Sequence, residues 1–145
     1  ALKGAIDLGI AMQLTNIARD VVEDEKRNRS YIKHDLGVIK EIIKIADTFY
    51  ESSFVAIKYI PIISRFSIIV ARRVYKKIGD NILKIENIEK YDNAGKIYVS
   101  NIAKVIETFL SLYDFIKLFF INSKRHLKED EHAIINKEIN LNERI

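Results

Sequence analysis

The chain has 145 residues, about one modest domain, with 24 basic and 20 acidic side chains and a net charge of +4. Hydrophobic residues make up 48% and charged residues 30%, a folding rather than a disordered composition. No cysteine is present, which excludes a disulfide scaffold, a thiolate metal site and a cysteine nucleophile, and the single proline excludes Pro-rich architectures.

The charge is uneven. Residues 58–104 hold ten basic against four acidic side chains, a local +6. Such a middle could face phosphates or a lipid surface, or be a solvated lysine-rich face. No apolar run reaches the roughly 18–20 residues of a membrane span; the nearest, Val105 to Ile121, is interrupted by Glu107, Asp114 and Lys117. Ala1 begins in mid-pattern with no leader-like start, so the chain reads as part of something longer.

In chain order, the periodicity is helical throughout. A first helix is predicted over about Ala5–Glu25, then a polar stretch Lys26–Asp35 with Gly37 as punctuation. Ile39, Ile42, Ile43, Ala46, Phe49, Tyr50 and Phe54 recur at threes and fours and predict a helix over about Val38–Lys58. Pro61 ends it or opens the next, because it lacks an amide proton. A third helix is predicted over Ser64–Ile85. A fourth covers Ser100–Ile121, with Val105, Phe109, Leu112, Ile116 and Phe119 on one stripe. Residues 123–145 form a charged C-terminal tail, set off from a helical domain of residues 1–122. The expected class is all-α, a helical bundle.

The first helix gathers polar residues on one side. At about 100° per residue, Gln13, Asp20 and Asp24 fall within about 40° of one another, with Asn16 and Glu23 beside them and Arg19 at the flank. Ile10, Ala11, Leu14, Ala18 and Val21 lie opposite. Two carboxylates one turn apart repel unless a cation sits between them. Mg²⁺ takes oxygen ligands and is typically held by one or two carboxylates plus substrate phosphates. By spacing alone, the same residues are also how an ordinary surface helix ends. In the third helix, Ile68, Ala71, Tyr75, Ile78 and Ile82 form an apolar stripe that turns Tyr75 inward, while Arg72, Arg73, Lys76 and Lys77 sit on neighbouring, solvated faces. His34, His126 and His132 share no ligand spacing, and no aromatic-plus-basic array suggests nucleic acid.

The run from Asp7 to Asp24, Asp-Leu-Gly-Ile-Ala-Met-Gln-Leu-Thr-Asn-Ile-Ala-Arg-Asp-Val-Val-Glu-Asp, followed by Arg29-Ser-Tyr31, resembles the second aspartate-rich motif of the phytoene synthase and squalene synthase family. The similarity continues at Ala71–Gly79 and Lys96–Ser100 and covers about residues 2–120, the C-terminal portion of the family domain. The resemblance implies an all-α isoprenoid-synthase-like bundle. It implies a prenyltransferase that joins two prenyl diphosphates, farnesyl or geranylgeranyl, head to head after Mg²⁺-assisted ionisation. It implies that Asp20, Asp24 and Asn16 hold metal, that Gln13, Asn16, Arg19, Arg29 and Tyr75 contact substrate, and that Arg19, Asp20, Asp24 and Tyr75 are catalytic.

The family's first aspartate-rich motif has no match here. Asp47-x-x-x-Glu51 has the spacing but lies downstream on an Ile-rich helix, and is read as solvent-facing. The expectation is a fragment, or one half of a split enzyme whose other half is lost or separately encoded. The alternative is a degenerate, non-catalytic member acting in assembly or interaction. Asn28 and Lys33 depart from residues common around the Arg-x-Tyr piece, and Lys96 stands where Arg is common. A cytoplasmic location, with peripheral membrane contact, goes with oily products.

Overall fold

The computed structural model describes residues 2–121, and the tail predicted at 123–145 lies outside them. Six α-helices follow in order: α1 Leu2–Arg19, α2 Val21–Lys26, α3 Leu36–Phe54, α4 Ile62–Leu83, α5 Ile88–Ala94 and α6 Asn101–Phe120. A 3₁₀ turn, Val55–Tyr59, links α3 to α4. No strand occurs among the described residues, and the all-α expectation holds.

Local chemistry sets the boundaries. Asp35 caps α3 by accepting from the Val38 amide at 3.1 Å, Asn87 caps α5 by accepting from Lys90 at 2.9 Å, and Ser100 caps α6 by accepting from Ala103 at 3.2 Å. Pro61 stands just before α4, where a missing amide costs no helical bond. The predicted first helix is divided at Asp20, with φ −103° and ψ 13°. The ladder nonetheless runs across it: the Asp20 amide donates to the Asn16 carbonyl at 2.9 Å, and the Asp24 amide to the Asp20 carbonyl at 2.8 Å. Asp20 and Asp24 therefore stay one turn apart in backbone register. Helix α5 was not expected. Only Ile88, Tyr91 and Ala94 are apolar in its seven residues, too few to show a period.

Helices α1 and α3 pack most closely. The inward stripe of α1 is Gly4, Asp7, Ala11, Thr15 and Ala18, small residues that let α3 approach. A Cβ at Gly4 would collide with the Ala56 side chain, so glycine is required where α1 crosses the 3₁₀ turn. The two polar members of the stripe are satisfied: Ser52 Oγ donates to Asp7 at 2.5 Å, and Thr15 Oγ1 lies 3.0 Å from the Tyr50 hydroxyl. The main core joins Ala18 and Val21 to Ile39, Ile43, Ile78 and Ile82, and is closed by Tyr91, Ile97 and Val99 from the α5 segment.

The structure orients one helix whose facing the period left open, and corrects one expectation. The stripe Val105, Phe109, Leu112, Ile116 and Phe119 of α6 faces outward, each residue 49–68% exposed. The buried side of α6 is Glu107, Ser111, Asp114 and Leu118. The cause is α4. Arg73 donates to Glu107 at 2.9 Å and to Asp114 at 2.7 Å, and Lys77 lies 3.8 Å from Glu107. Buried carboxylates need such partners, so the acids of α6 turn toward them. The corrected expectation follows, since Arg72 and Arg73 are not solvated cations. Arg72 is buried, donates twice to the Tyr50 carbonyl at 3.0 and 2.8 Å, and stacks 4.9 Å from the Phe54 ring.

Candidate functional site

The polar sector of α1 ends in a close ion pair. Arg19 Nε donates to Asp20 Oδ1 at 2.8 Å and Arg19 Nη2 to Asp20 Oδ2 at 2.7 Å, a bidentate fork with side chains only 13% and 18% exposed. The Lys96 ammonium stands 3.7 Å from Asp20 Oδ1 and 3.5 Å from Glu23 Oε2. Burial alone would raise the Asp20 pKa, but the bonds from Arg19 and the charge of Lys96 outweigh it and hold the carboxyl below its ordinary value. Arg19 is correspondingly raised by its bonds to Asp20, against burial, with smaller contributions from Tyr75 and Tyr98. Asp20 therefore points into a half-buried, charged corner rather than bulk water.

One turn back, Asn16 is half-buried and its side-chain Oδ1 is buried with no hydrogen-bond partner. A buried amide oxygen left unbonded costs about 1–3 kcal/mol, and such atoms in native structures call for a reason. Tyr75 is half-buried and packs against both core clusters that meet under α1, within electrostatic reach of Arg19 and Tyr50. The inward reading of its stripe holds. Beside it, burial pushes the Tyr50 hydroxyl up to about 12, so Tyr50 stays a neutral bonding partner of Thr15.

The remaining candidates sit elsewhere. Gln13 is exposed. Asp24 lines a narrow crevice with Ile17, Val21, Arg29 and Tyr31. The Arg29 amide donates to the Asp24 carbonyl at 2.8 Å, closing the turn after α2, while the Arg29 and Tyr31 side chains are exposed. Among the described residues, no three acidic or histidine side chains converge closely enough to hold a metal ion. Asp47 and Glu51 do not form a second acid pair facing this wall. Both engage Lys76, at 3.7 and 2.6 Å, at the edge of a cleft of about 280 Å³ between α3, α4 and α6. Asp47 is raised by burial first, with Asp80 and Glu51 adding to the effect. The half-buried setting of Asp47 corrects the solvent-facing reading for that residue, while Glu51 is exposed as expected.

Lys96 is the residue whose place at Asp20 was not foreseen. The sequence marked it only as a lysine where arginine is common. Tyr91 explains how it arrives: its hydroxyl donates to the Ala18 carbonyl at 2.7 Å and anchors α5 on α1. Gly95, with φ +58°, then turns the chain back toward Asp20.

This wall lies within the stretch that other proteins share. Residues 1–36 match the family model described as Squalene/phytoene synthase. The chain is 32% identical to 15-cis-phytoene synthase of Enterobacter agglomerans, over 57% of this chain and 35% of that protein. It is 35% identical to the 15-cis-phytoene synthase of a Paracoccus strain, over 57% of this chain and 33% of that protein. It is 32% identical to the chloroplastic phytoene synthase of an Oncidium hybrid cultivar, over 70% of this chain and 29% of that protein. No solved structure matches it significantly. The chain thus spans about a third of the length of these curated relatives. Over the stretch these matches cover, the chain is similar to the squalene/phytoene synthase family.

Proposed function

We propose that this chain supplies one metal- and diphosphate-binding wall of a phytoene/squalene-type prenyl synthase. The reaction would be the head-to-head condensation of two prenyl diphosphates, farnesyl or geranylgeranyl. The observation that carries the reading is the Asn16–Arg19–Asp20 corner: a bidentate cation–carboxylate pair beside a buried, unbonded amide oxygen.

The donor chemistry fits Mg²⁺, because Asn16 Oδ1 and Asp20 are hard oxygen ligands and Asp24 keeps its register one turn on. These residues would hold it. When bound, the ion neutralises the leaving diphosphate as the allylic C–O bond breaks. Arg19 is forked to pair with phosphate oxygens once Asp20 turns to another cation. Gln13, exposed on the same helix, and Arg29 extend the polar surface that a diphosphate would meet. Tyr75 stands on the apolar side of Arg19, where a phenol can bond the diphosphate while its ring lines a dry wall. Further oxygen ligands are needed, from the diphosphate and from a complementary acidic helix, in the rest of a longer polypeptide or on a separate chain. Residues 1–122 would then be part of a helical synthase domain, with the tail of 123–145 outside its site. Cytoplasmic placement with peripheral membrane contact is part of the same proposal; no described helix is long and apolar enough to cross a membrane.

The alternative is an assembly or interaction role with an inherited acidic face. The full pairing of Asp20 by Arg19 and Lys96 favours it, because the carboxylate is already neutralised without a metal. Adding a complementary family half and assaying farnesyl and geranylgeranyl diphosphate with Mg²⁺ separates the two. On the catalytic reading, Asp20→Ala lowers turnover at least a hundredfold, as loss of a metal or charge-stabilising group does. Unchanged turnover would remove Asp20 from the mechanism, and no binding of Mg²⁺–diphosphate by wild type would leave the interaction role.

A further inference from the structure

His34 lies in the loop between α2 and α3 and joins two elements that the sequence separates. Its Nδ1 is 2.8 Å from Glu25 Oε2 of α2, and its Nε2 is 2.7 Å from Asp92 Oδ1 of α5. The ring also meets Tyr91 edge-on, with centroids 6.4 Å apart. A carboxylate only accepts hydrogen bonds, so both ring nitrogens must donate. Neutral imidazole carries a single N–H, and at one end its lone pair would then face a carboxylate oxygen. The arrangement is complete only for the imidazolium. Asp92, Glu25 and Tyr91 are the groups that face the ring from α5 and α2, and no cation among them competes for the two acids.

Beyond the apolar packing of Tyr91 and Ile88, two polar side chains tie α5 to the wall beneath it among the described residues. The Tyr91 hydroxyl holds the Ala18 carbonyl from the buried side and does not titrate below strongly alkaline pH, since burial pushes it up to about 12. His34 holds the outer side. The segment so fixed ends at Gly95 and delivers Lys96 to Asp20 and Glu23.

We infer that His34 is a proton-dependent positioning residue, a clamp that fastens α5 to the end of α2 and sets how firmly Lys96 is held against the Asp20–Glu23 acids. Its importance for catalysis rests on the reading proposed above for Asp20; the clamp itself does not. The hydrogen bond to Asp92, with that to Glu25, raises the His34 pKa against a small opposing effect of burial. A raised folded-state pKa means the clamp is fully closed below the ordinary histidine value near 6.5 and is lost as pH rises through the higher folded-state value. The Asp20 and Glu23 carboxylates, against which it holds Lys96, are then less firmly covered, so alkaline conditions favour release of Asp20 toward another cation.

Hydrogen exchange on the full chain, read by mass spectrometry between pH 5.5 and 8.5 and corrected for the intrinsic pH effect, tests this without metal or diphosphate. In wild type, protection of the Ile88–Ala94 amides should fall about tenfold relative to α1 across that range, the change expected when a hydrogen bond to a charged group is lost. His34→Gln should be weakly protected at every pH. His34→Arg, which keeps a double donor and a permanent charge, should restore protection and abolish its pH dependence. Protection of α5 that tracks α1 at all pH values overturns the clamp, as does His34→Gln retaining the wild-type pH profile. An imidazole pKa at or below 6.5 by NMR would do the same. A positive result with no Mg²⁺–diphosphate binding leaves the clamp standing and removes only the catalytic reading.

Discussion

Helices α1 and α6 are nearly equal in length, 18 and 20 residues, yet they bury opposite chemistry. Helix α1 turns a mostly small-residue stripe inward, with Asp7 its one acid, and keeps Gln13, Asn16 and Arg19 off that stripe. Helix α6 turns two acids and a serine inward and shows Ile102, Phe109, Tyr113, Ile116 and Phe120 to the outside, each more than half exposed. A period of 3.6 identifies two faces but says nothing about which one meets the core. The neighbouring helix decides. Helix α3 offers α1 a close apolar crossing, whereas α4 offers α6 the cations Arg73 and Lys77, spaced one turn apart. The outward side of α6 carries a row of exposed large apolar side chains.

The comparison breaks most severely at Arg73. Replacing it with Met leaves Glu107 and Asp114, whose side chains are 9% and 12% exposed, without their principal partner. Removing one side of a buried ion network costs about 3–5 kcal/mol, so urea denaturation of Arg73→Met should show that loss together with detachment of α6. A change below about 1 kcal/mol would mean that α6 is held by something other than its acids.

A paired truncation sharpens the same contrast on one helix. Leu118 is 2% exposed and packs with Phe54, Ile57 and Ile69, so Leu118→Ala should cost about 2–5 kcal/mol. Phe120 is 82% exposed, and Phe120→Ala should lie within about 0.5 kcal/mol of wild type despite removing the larger side chain. A ranking by hydrophobicity alone would reverse these two results, and thermal melts of both variants decide between the rankings.

What could be read in advance follows the same division. The apolar side of α1 was legible because Ala11, Ala18 and Val21 fall opposite the Gln13–Asp24 sector and all three are buried. The inward Tyr75 was legible because its stripe belongs to a helix packed on both sides. Helix α6 was legible only as a period, because its orientation depends on Arg73 and Lys77, 30 or more positions away in sequence. The corner at Asp20 was half legible. Charge type and register pointed to Asp20, whereas Lys96 reaches it only through the Tyr91 anchor and the turn at Gly95, neither of which has a periodic signature. His34 lacked ligand spacing, and its two carboxylates come from α2 and from a helix too short to predict.

The smallest expected effect bears most directly on the acid wall of α1. Asn16 Oδ1 is buried without a partner, and an orphaned acceptor of this kind destabilises a fold. Asn16→Leu removes the polar atom and keeps a similar volume, so the apo chain should become about 1 kcal/mol more stable. Binding of Mn²⁺, used as a paramagnetic stand-in for Mg²⁺ in the presence of inorganic diphosphate, should weaken at least tenfold in the same variant, about 1.4 kcal/mol. Opposite signs in the two measurements would show a side chain kept for a ligand at the expense of the fold. If stability and binding both fall, Asn16 has a structural bond in solution, and the oxygen-donor role passes to Asp20 and Asp24 alone. If stability rises and binding is unchanged, the wall is an inherited surface, and α1 differs from α6 in packing without differing in function.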